Sequence, residues 1–248
     1  MSERSTVILE ILNRKKKVGV GELAQLLDVS QVTVRKDLSE LEAGGLVVRE
    51  HGAAILADTN DVGGRIALRY DAKKRIARRA AELVRNGDTI MVESGSCCAL
   101  FVEELAAEKH GLTVITNNCF IPDYVRGRSD ICFNLLGGLY QQDSQTLVGP
   151  MVKTCVSAFW VNRFFIGIDG YAPESGFCNR DLLRAQAVND MARQAKEVVV
   201  MSTSDKFLSR STVPLALDNV STVITDAGIT PASERALRDA GITVITVA

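Results

Sequence analysis

Residues 28–46, DVSQVTVRKDLSELEAGGL, constrain this chain more than any other stretch. Ser30 is a good helix N-cap, because its hydroxyl can accept an otherwise orphaned backbone N–H of the first turn. Val34, Leu38 and Leu41 then fall at i, i+4 and i+7, one apolar stripe at helical spacing. Gly44-Gly45 closes the helix where a left-handed backbone is easiest for glycine. At roughly 100° per residue the opposite side carries Val32, Lys36 and Ser39, flanked by Thr33 and Arg35. Such a helix buries a narrow edge and offers a basic, hydroxyl-bearing face near its N-terminus, as reading the major groove of DNA requires.

The neighbouring sequence fits that reading. Residues 5–14 are amphipathic through Val7, Ile8, Ile11 and Leu12, and 21–27 form a short helix burying Leu23, Ala24 and Leu27. Asp28-Val29 is the short turn between two helices, as in helix-turn-helix units. Beyond Gly45, residues 46–48 and 53–56 make two short strands around Arg49-Glu-His-Gly52, a candidate wing. An ordinary helical subdomain with a solvated face is the plainer alternative, but cap, turn, helix and wing in order favour double-stranded DNA. The expected contacts are Ser30, Gln31, Val32, Thr33, Arg35 and Lys36, with Arg49 and His51 on the wing.

The run Val29-Ser30-x-x-Thr33-Val34-Arg35-Lys36-Asp37-Leu38-x-x-Leu41-Glu42-x-x-Gly45-x-x-x-Arg49-x-His51-Gly52-x-Ala54 resembles the N-terminal signature of DeoR-type bacterial transcription regulators. Ala53 stands where that wing has a second glycine.

A chain of 248 residues has room for two domains, each with its own core. The formal net charge is −1, so nucleic-acid binding has to come from a local patch: Arg35, Lys36, Arg49 and the basic run 14–17. No apolar run approaches membrane-spanning length and no secretory segment opens the chain, so a cytoplasmic protein without membrane contact is expected. The six cysteines show no CxxC pairing and there are two histidines, so neither a metal nor a cofactor is expected.

Residues 58–64 are polar and turn-rich, which divides the chain into a winged helix-turn-helix at 1–57, a linker at 58–70 and a larger domain at 71–248. The helix expected at 71–84 turns Ile76, Ala80, Leu83 and Val84 inward and shows a solvated basic face of Lys73, Lys74, Arg75, Arg78 and Arg79, with phosphate contact as the lesser alternative. Thereafter apolar runs at 89–92, 112–116, 131–136, 164–168, 198–202, 222–225 and 242–247 alternate with helical stretches at 97–107, 121–126, 151–159, 182–195 and 232–240. Such alternation predicts an α/β class domain with a largely parallel, Rossmann-like sheet covered on both faces.

Ligands in such sheets bind beyond the carboxyl ends of strands, and here those ends are polar. They comprise Ser94, Gly95, Ser96 and Cys97 opening into a helix, then Asn117, then Gly137-Gly138, then Asp169-Gly170 together with Lys206. Taken singly they read as turns; together they favour a small anionic ligand, with Lys206 the best cation for a phosphate.

The resemblance extends here. Lys74 with Ile76-Ala77, the Gly-Ser loop, Ile115-Thr-Asn117, Leu136-Gly-Gly138, Phe165-Ile-Gly-x-Asp-Gly170, Ser204-Asp-Lys206 and Ile224-Thr-Asp226 look like the DeoR-type sensor domain. That domain is related to ribose-5-phosphate isomerases and typically binds phosphorylated sugars. The resemblance therefore implies a regulator, most often a repressor, of a carbohydrate operon, controlled by a sugar phosphate. One reading helix with a handful of basic side chains should bind DNA weakly as a single copy, so a homo-oligomer, dimer or tetramer, is expected. Glu93 stands where an aspartate is common, Ser96-Cys97-Cys98 replaces a Gly-Thr-Thr continuation, and 184–189 lacks the family's acidic residues and lysine. The alternative is an isomerase-like enzyme with Asp169, Glu93 and Lys206 as its acid-base and cationic groups.

Overall fold

A computed structural model describes residues 3–57, 62–127, 130–208 and 210–248. The chain divides into two compact units, Met1–Asp71 and Ala72–Ala248.

In the first unit α1 (Glu3–Lys15) leads through β1 (Lys17–Gly19) to α2 (Val20–Leu26) and α3 (Gln31–Ala43), and β2 (Val47–Glu50) and β3 (Ala53–Leu56) follow. Val34 and Leu38 are fully buried, packed with Ile8, Leu12 and Leu23, so the 3.6-residue stripe is the seam of this small core. Asp37 lies on that inner side too, where Arg4 of α1 clamps it with two bonds of 2.5 and 2.9 Å. β3 pairs antiparallel with β2 on one side and β1 on the other. The two-residue link is His51-Gly52, with φ of 46° and 84°, the turn whose twist suits a tight hairpin. Ala53 is already in the strand, opposite Glu50, so an alanine there meets no backbone demand for glycine.

The expected linker is overturned in part. Residues 58–61 lie outside the described residues, but 62–67 form a helix, α4 (Val62–Ala67), with Val62, Ile66 and Ala67 buried. Val62 and Ile66 are one helical turn apart, a period masked by the glycine pair between them.

In the second unit α5 (Tyr70–Ala81), β4 (Thr89–Val92), α6 (Ser96–Glu108), β5 (Thr113–Thr116), α7 (Phe120–Tyr124) and β6 (Cys132–Leu135) come first. A ribbon, β7 (Leu139–Gln141) and β8 (Thr146–Val148), leads to α8 (Pro150–Val156) and β9 (Val161–Ile166). Then follow β10 (Gly170–Ala172), β11 (Gly176–Asn179), α9 (Leu182–Ala192) and β12 (Ala195–Met201). Last come a 3-10 turn (Ser204–Phe207), β13 (Val213–Pro214), β14 (Val220–Asp226), α10 (Pro231–Asp239) and β15 (Thr243–Val247).

Among the described residues, β15-β14-β12-β9-β4-β5-β6 make one sheet whose neighbours are all parallel. Alternation sorts side chains between its faces. Phe164 and Ile166 enter a core shared with Val152, Val188 and Met191 from α8 and α9, whereas the intervening Phe165 lies against Phe101 of α6, ring centroids 4.4 Å apart. The small antiparallel ribbons β7–β8 and β10–β11–β13 were not foreseen. Their strands are too short to display a period-two pattern.

One expectation about the second unit fails. The basic side of α5 is not simply solvated: Lys73 is buried, and Lys74 pairs with the buried carboxylates of Glu103 (3.0 Å) and Glu104. Arg78 reaches Glu104 at 3.4 Å. Two acids inside an otherwise apolar helix need such partners, and α5 supplies them.

Candidate functional site

Two places carry functional chemistry, one in each unit.

On α3, Ser30 caps the helix, accepting from the Thr33 amide at 3.1 Å, and its hydroxyl also lies 2.9 Å from that of Thr33. Gln31, Val32, Arg35 and Lys36 are exposed, with Val32 at 73%. Apolar and unpacked within its unit, Val32 sits beside the basic pair on the face opposite the buried stripe. Arg35 meets the Gln31 side chain at 3.3 Å, and the Ser39 hydroxyl donates to the Arg35 carbonyl. Arg49 behaves differently: its Nε donates to Glu42 at 2.7 Å and its Nη1 to the Ser39 hydroxyl at 3.1 Å, bracing the wing on α3. His51 is exposed at the wing tip. The basic run at 14–17 is partly offset, since Lys15 pairs with Glu22 and Lys17 with Glu50.

In the second unit the chain runs from β4 outward to β5 and β6, then crosses back to β9 on the other side of β4. The crevice at a parallel sheet's carboxyl edge opens at such a reversal, here between the ends of β4 and β9. Glu93 directly follows β4 there. It is buried, accepts from the Ser94 hydroxyl at 2.5 Å and from the Gly167 amide at 3.3 Å, and its neighbours include the charges of Arg184 and Asp169. Burial, the dominant cause, pushes its carboxyl up to about 7; the two hydrogen bonds and Arg184 pull the other way.

Gly95 follows with φ of 120°, a conformation suited to glycine, and opens α6 without any side-chain cap. The first-turn amides of α6 therefore receive no side-chain cap, and free helix N-terminal amides are the kind of donor that anions meet. Cys97 is buried there, its thiol pushed up to about 11 by burial and hence neutral; Lys73 and Lys206 act on it as nearby cations, Asp205 and Asp226 as anions. Ser204 and Asp226 join the ends of β12 and β14 through bonds of 2.8 and 2.7 Å. Lys206 stands on the 3-10 turn, about one-third exposed, 3.9 Å from Asp205.

The remaining expected residues divide. Asn117 lies buried beside Glu93's position on the adjacent strand; its amide donates to the Leu147 carbonyl while its Oδ1 has no hydrogen-bond partner among the described residues. Asp169 is half-buried and accepts from the Arg180 amide at 2.9 Å, next to Gly170, where β10 begins. Gly137 and Gly138 have a packing explanation instead. A Cβ on Gly138 would stand 2.7 Å from the Val148 carbonyl oxygen, and one on Gly137 3.3 Å from the Cys155 sulfur.

Lys73, expected on a solvated face, and Arg184, not expected as a site residue, both carried a signal. Lys73 is in phase with Ile76, Ala77 and Ala80 on α5, and Arg184 with Val188 and Met191 on α9, so each belongs to a buried stripe. Among the described residues no cluster of His, Cys, Asp or Glu is placed to hold a metal ion, and no helix is long and apolar enough to cross a membrane.

The comparisons agree across both units. Residues 4–60 match the DeoR-like helix-turn-helix domain and residues 68–227 the DeoR C-terminal sensor domain. The chain is 29% identical to the uncharacterised HTH-type transcriptional regulator YulB of Bacillus subtilis, over 100% of this chain and 97% of that one. It is 28% identical to the putative aga operon transcriptional repressor of Escherichia coli O157:H7, over 99% and 94%. Among solved structures, ribose-5-phosphate isomerase A of Methanocaldococcus jannaschii aligns with a TM-score of 0.42 at 19% identity, over 56% of this chain and 55% of that one. With the helix-turn-helix and the sensor domain both matched, the chain belongs to the DeoR family of transcription regulators.

Proposed function

We propose that this regulator represses a carbohydrate-utilisation operon in the cytoplasm and is controlled by a phosphorylated sugar bound in the β4–β9 crevice. The observation that carries the effector site is the switch-point loop, where an uncapped helix N-terminus meets Lys73 and Lys206. The phosphate rests on the α6 amides and the 94–97 loop with Lys206 beside it, while Glu93, Asn117 and Asp169 face the hydroxyl-bearing end. Ser30, Gln31, Val32, Thr33, Arg35 and Lys36 meet operator DNA. Arg49 orients the wing through Glu42, and His51 at the tip approaches the backbone or minor groove. One reading helix with few free cations binds weakly, so the working form is a homo-oligomer presenting two heads to half-sites about 34 Å apart or a multiple of that. Its relative named as an operon repressor supports the sign of regulation.

Thermal-shift screening of sugar phosphates on the full chain tests the sensor. A hit raises the melting temperature, since a ligand that binds the native state stabilises it, and turnover assays on that hit are expected to show no isomerisation. A panel of triose to hexose phosphates without a single shift would overturn the reading.

A further inference from the structure

The Arg184 guanidinium is placed as if awaiting an anion. Its Nε is closed off from solvent and has no hydrogen-bond partner among the described residues. The nearest acid, Asp181 at 3.9 Å, is beyond hydrogen-bond reach. Asp181 is also committed elsewhere: its Oδ1 caps α9 by accepting from the Arg184 backbone amide at 2.9 Å and accepts from the Gln141 amide at 3.1 Å. A buried guanidinium N–H left without an acceptor is costly. Yet the approach to α9 is tied to the end of β9, the Arg180 amide donating to Asp169 at 2.9 Å, and the charge of Arg184 in the first turn of α9 acts on the buried carboxyl of Glu93.

We propose that the effector is a phosphorylated sugar acid, and that Arg184 reads its carboxylate. This rests on the reading of the crevice as a sugar-phosphate site. A planar carboxylate matches the fork formed by Nε and one Nη with two parallel bonds. In the proposed site the phosphate is already assigned to the α6 N-terminus with Lys73 and Lys206, which leaves Arg184 for a second anionic group. Glu93 suits such a neighbour because burial keeps much of it protonated near neutrality. In that form it donates a hydrogen bond and does not repel the anion. The orphan acceptor of Asn117, on the strand beside Glu93, is left for a ligand hydroxyl.

The test is a set of matched pairs, calorimetrically titrated into the full chain: four- to six-carbon aldonate phosphates, each against the aldose phosphate of the same length. Wild type is expected to bind at least one aldonate phosphate about tenfold or more tightly than its aldose partner, the range of a charge-assisted bond. Arg184→Gln is expected to abolish that preference while leaving aldose-phosphate affinity within about twofold, and Arg184→Lys to restore part of it. Aldose phosphates bound as well as the acids, or a preference unchanged in Arg184→Gln, would overturn the proposal while leaving the sugar-phosphate site standing. Sugar bisphosphates bound more tightly than any aldonate phosphate would overturn the carboxylate assignment. Failure of every compound to bind would instead remove the site itself. Should Arg184→Gln fail to fold, the wild-type pairs still decide the question.

Discussion

Replacing Glu93 by glutamine tests whether its buried carboxyl holds a proton. A carboxyl raised from its ordinary 4.5 to about 7 holds its proton in the folded chain through a pH window in which the unfolded chain has released it. Stability from this group is therefore greatest below the lower value and falls as pH rises through the window, becoming flat above about 7. Between pH 5 and pH 8 the loss amounts to about 2 to 3 kcal/mol. Arg184 and Asp169 are the charged groups that act on it, with Ser94 and Gly167 its hydrogen-bond partners. Glutamine keeps the shape and both bonds, because its carboxamide can accept from the Gly167 amide and donate to the Ser94 hydroxyl. It cannot ionise. Relative to wild type, Glu93→Gln is expected to gain about 2 to 3 kcal/mol on going from pH 5 to pH 8, about 5 to 10 °C in the transition of a unit this size. Scanning calorimetry of both proteins at pH 5, 6, 7 and 8 gives the comparison. Parallel curves across that range would refute the buried, proton-holding carboxyl.

Three further outcomes follow from the same structure. Val32, exposed beside Lys36, is expected to meet a thymine methyl, so replacing one thymine of a footprinted site by uracil should weaken binding; a footprint insensitive at every thymine denies the contact. Gly138→Ala places a Cβ against the Val148 backbone and is expected to cost about 1 to 3 kcal/mol by urea denaturation, whereas an unchanged midpoint would leave the packing explanation without support. Lys206→Ala is expected to keep operator affinity and to need about tenfold more sugar phosphate for the same response; a normal dose response would remove Lys206 from the sensing site.

How far the sequence could be read depended on the length over which a pattern repeats. The Val34, Leu38 and Leu41 stripe persists through a whole helix, so α3, its Ser30 cap and its outward residues were legible in outline. The main-sheet strands were legible because the carboxyl-end stretches of β9 and β12, residues 164–166 and 198–201, are unbroken apolar runs, as burial on both faces requires. What could not be read was set by tertiary partners. Whether a lysine on α5 is solvated depends on Glu103 and Glu104, which lie on another helix. The sequence could not show that Val148 lies against Gly138, or that Arg49 of the wing pairs with Glu42 of α3. The ribbon strands, two to four residues long, are too short to repeat a pattern, and Val62 and Ile66 were hidden by the glycines between them.

The central claim, that a DNA-reading head answers to a phosphorylated ligand in the crevice, is tested most directly by fluorescence anisotropy. The full chain is titrated against a site selected from random DNA, with and without a saturating sugar phosphate found by thermal shift. The account predicts a change in operator affinity of about 5- to 150-fold, matched by an equal change in effector affinity when DNA is bound, since such coupling is reciprocal. Operator affinity that stays the same with the crevice saturated would contradict it.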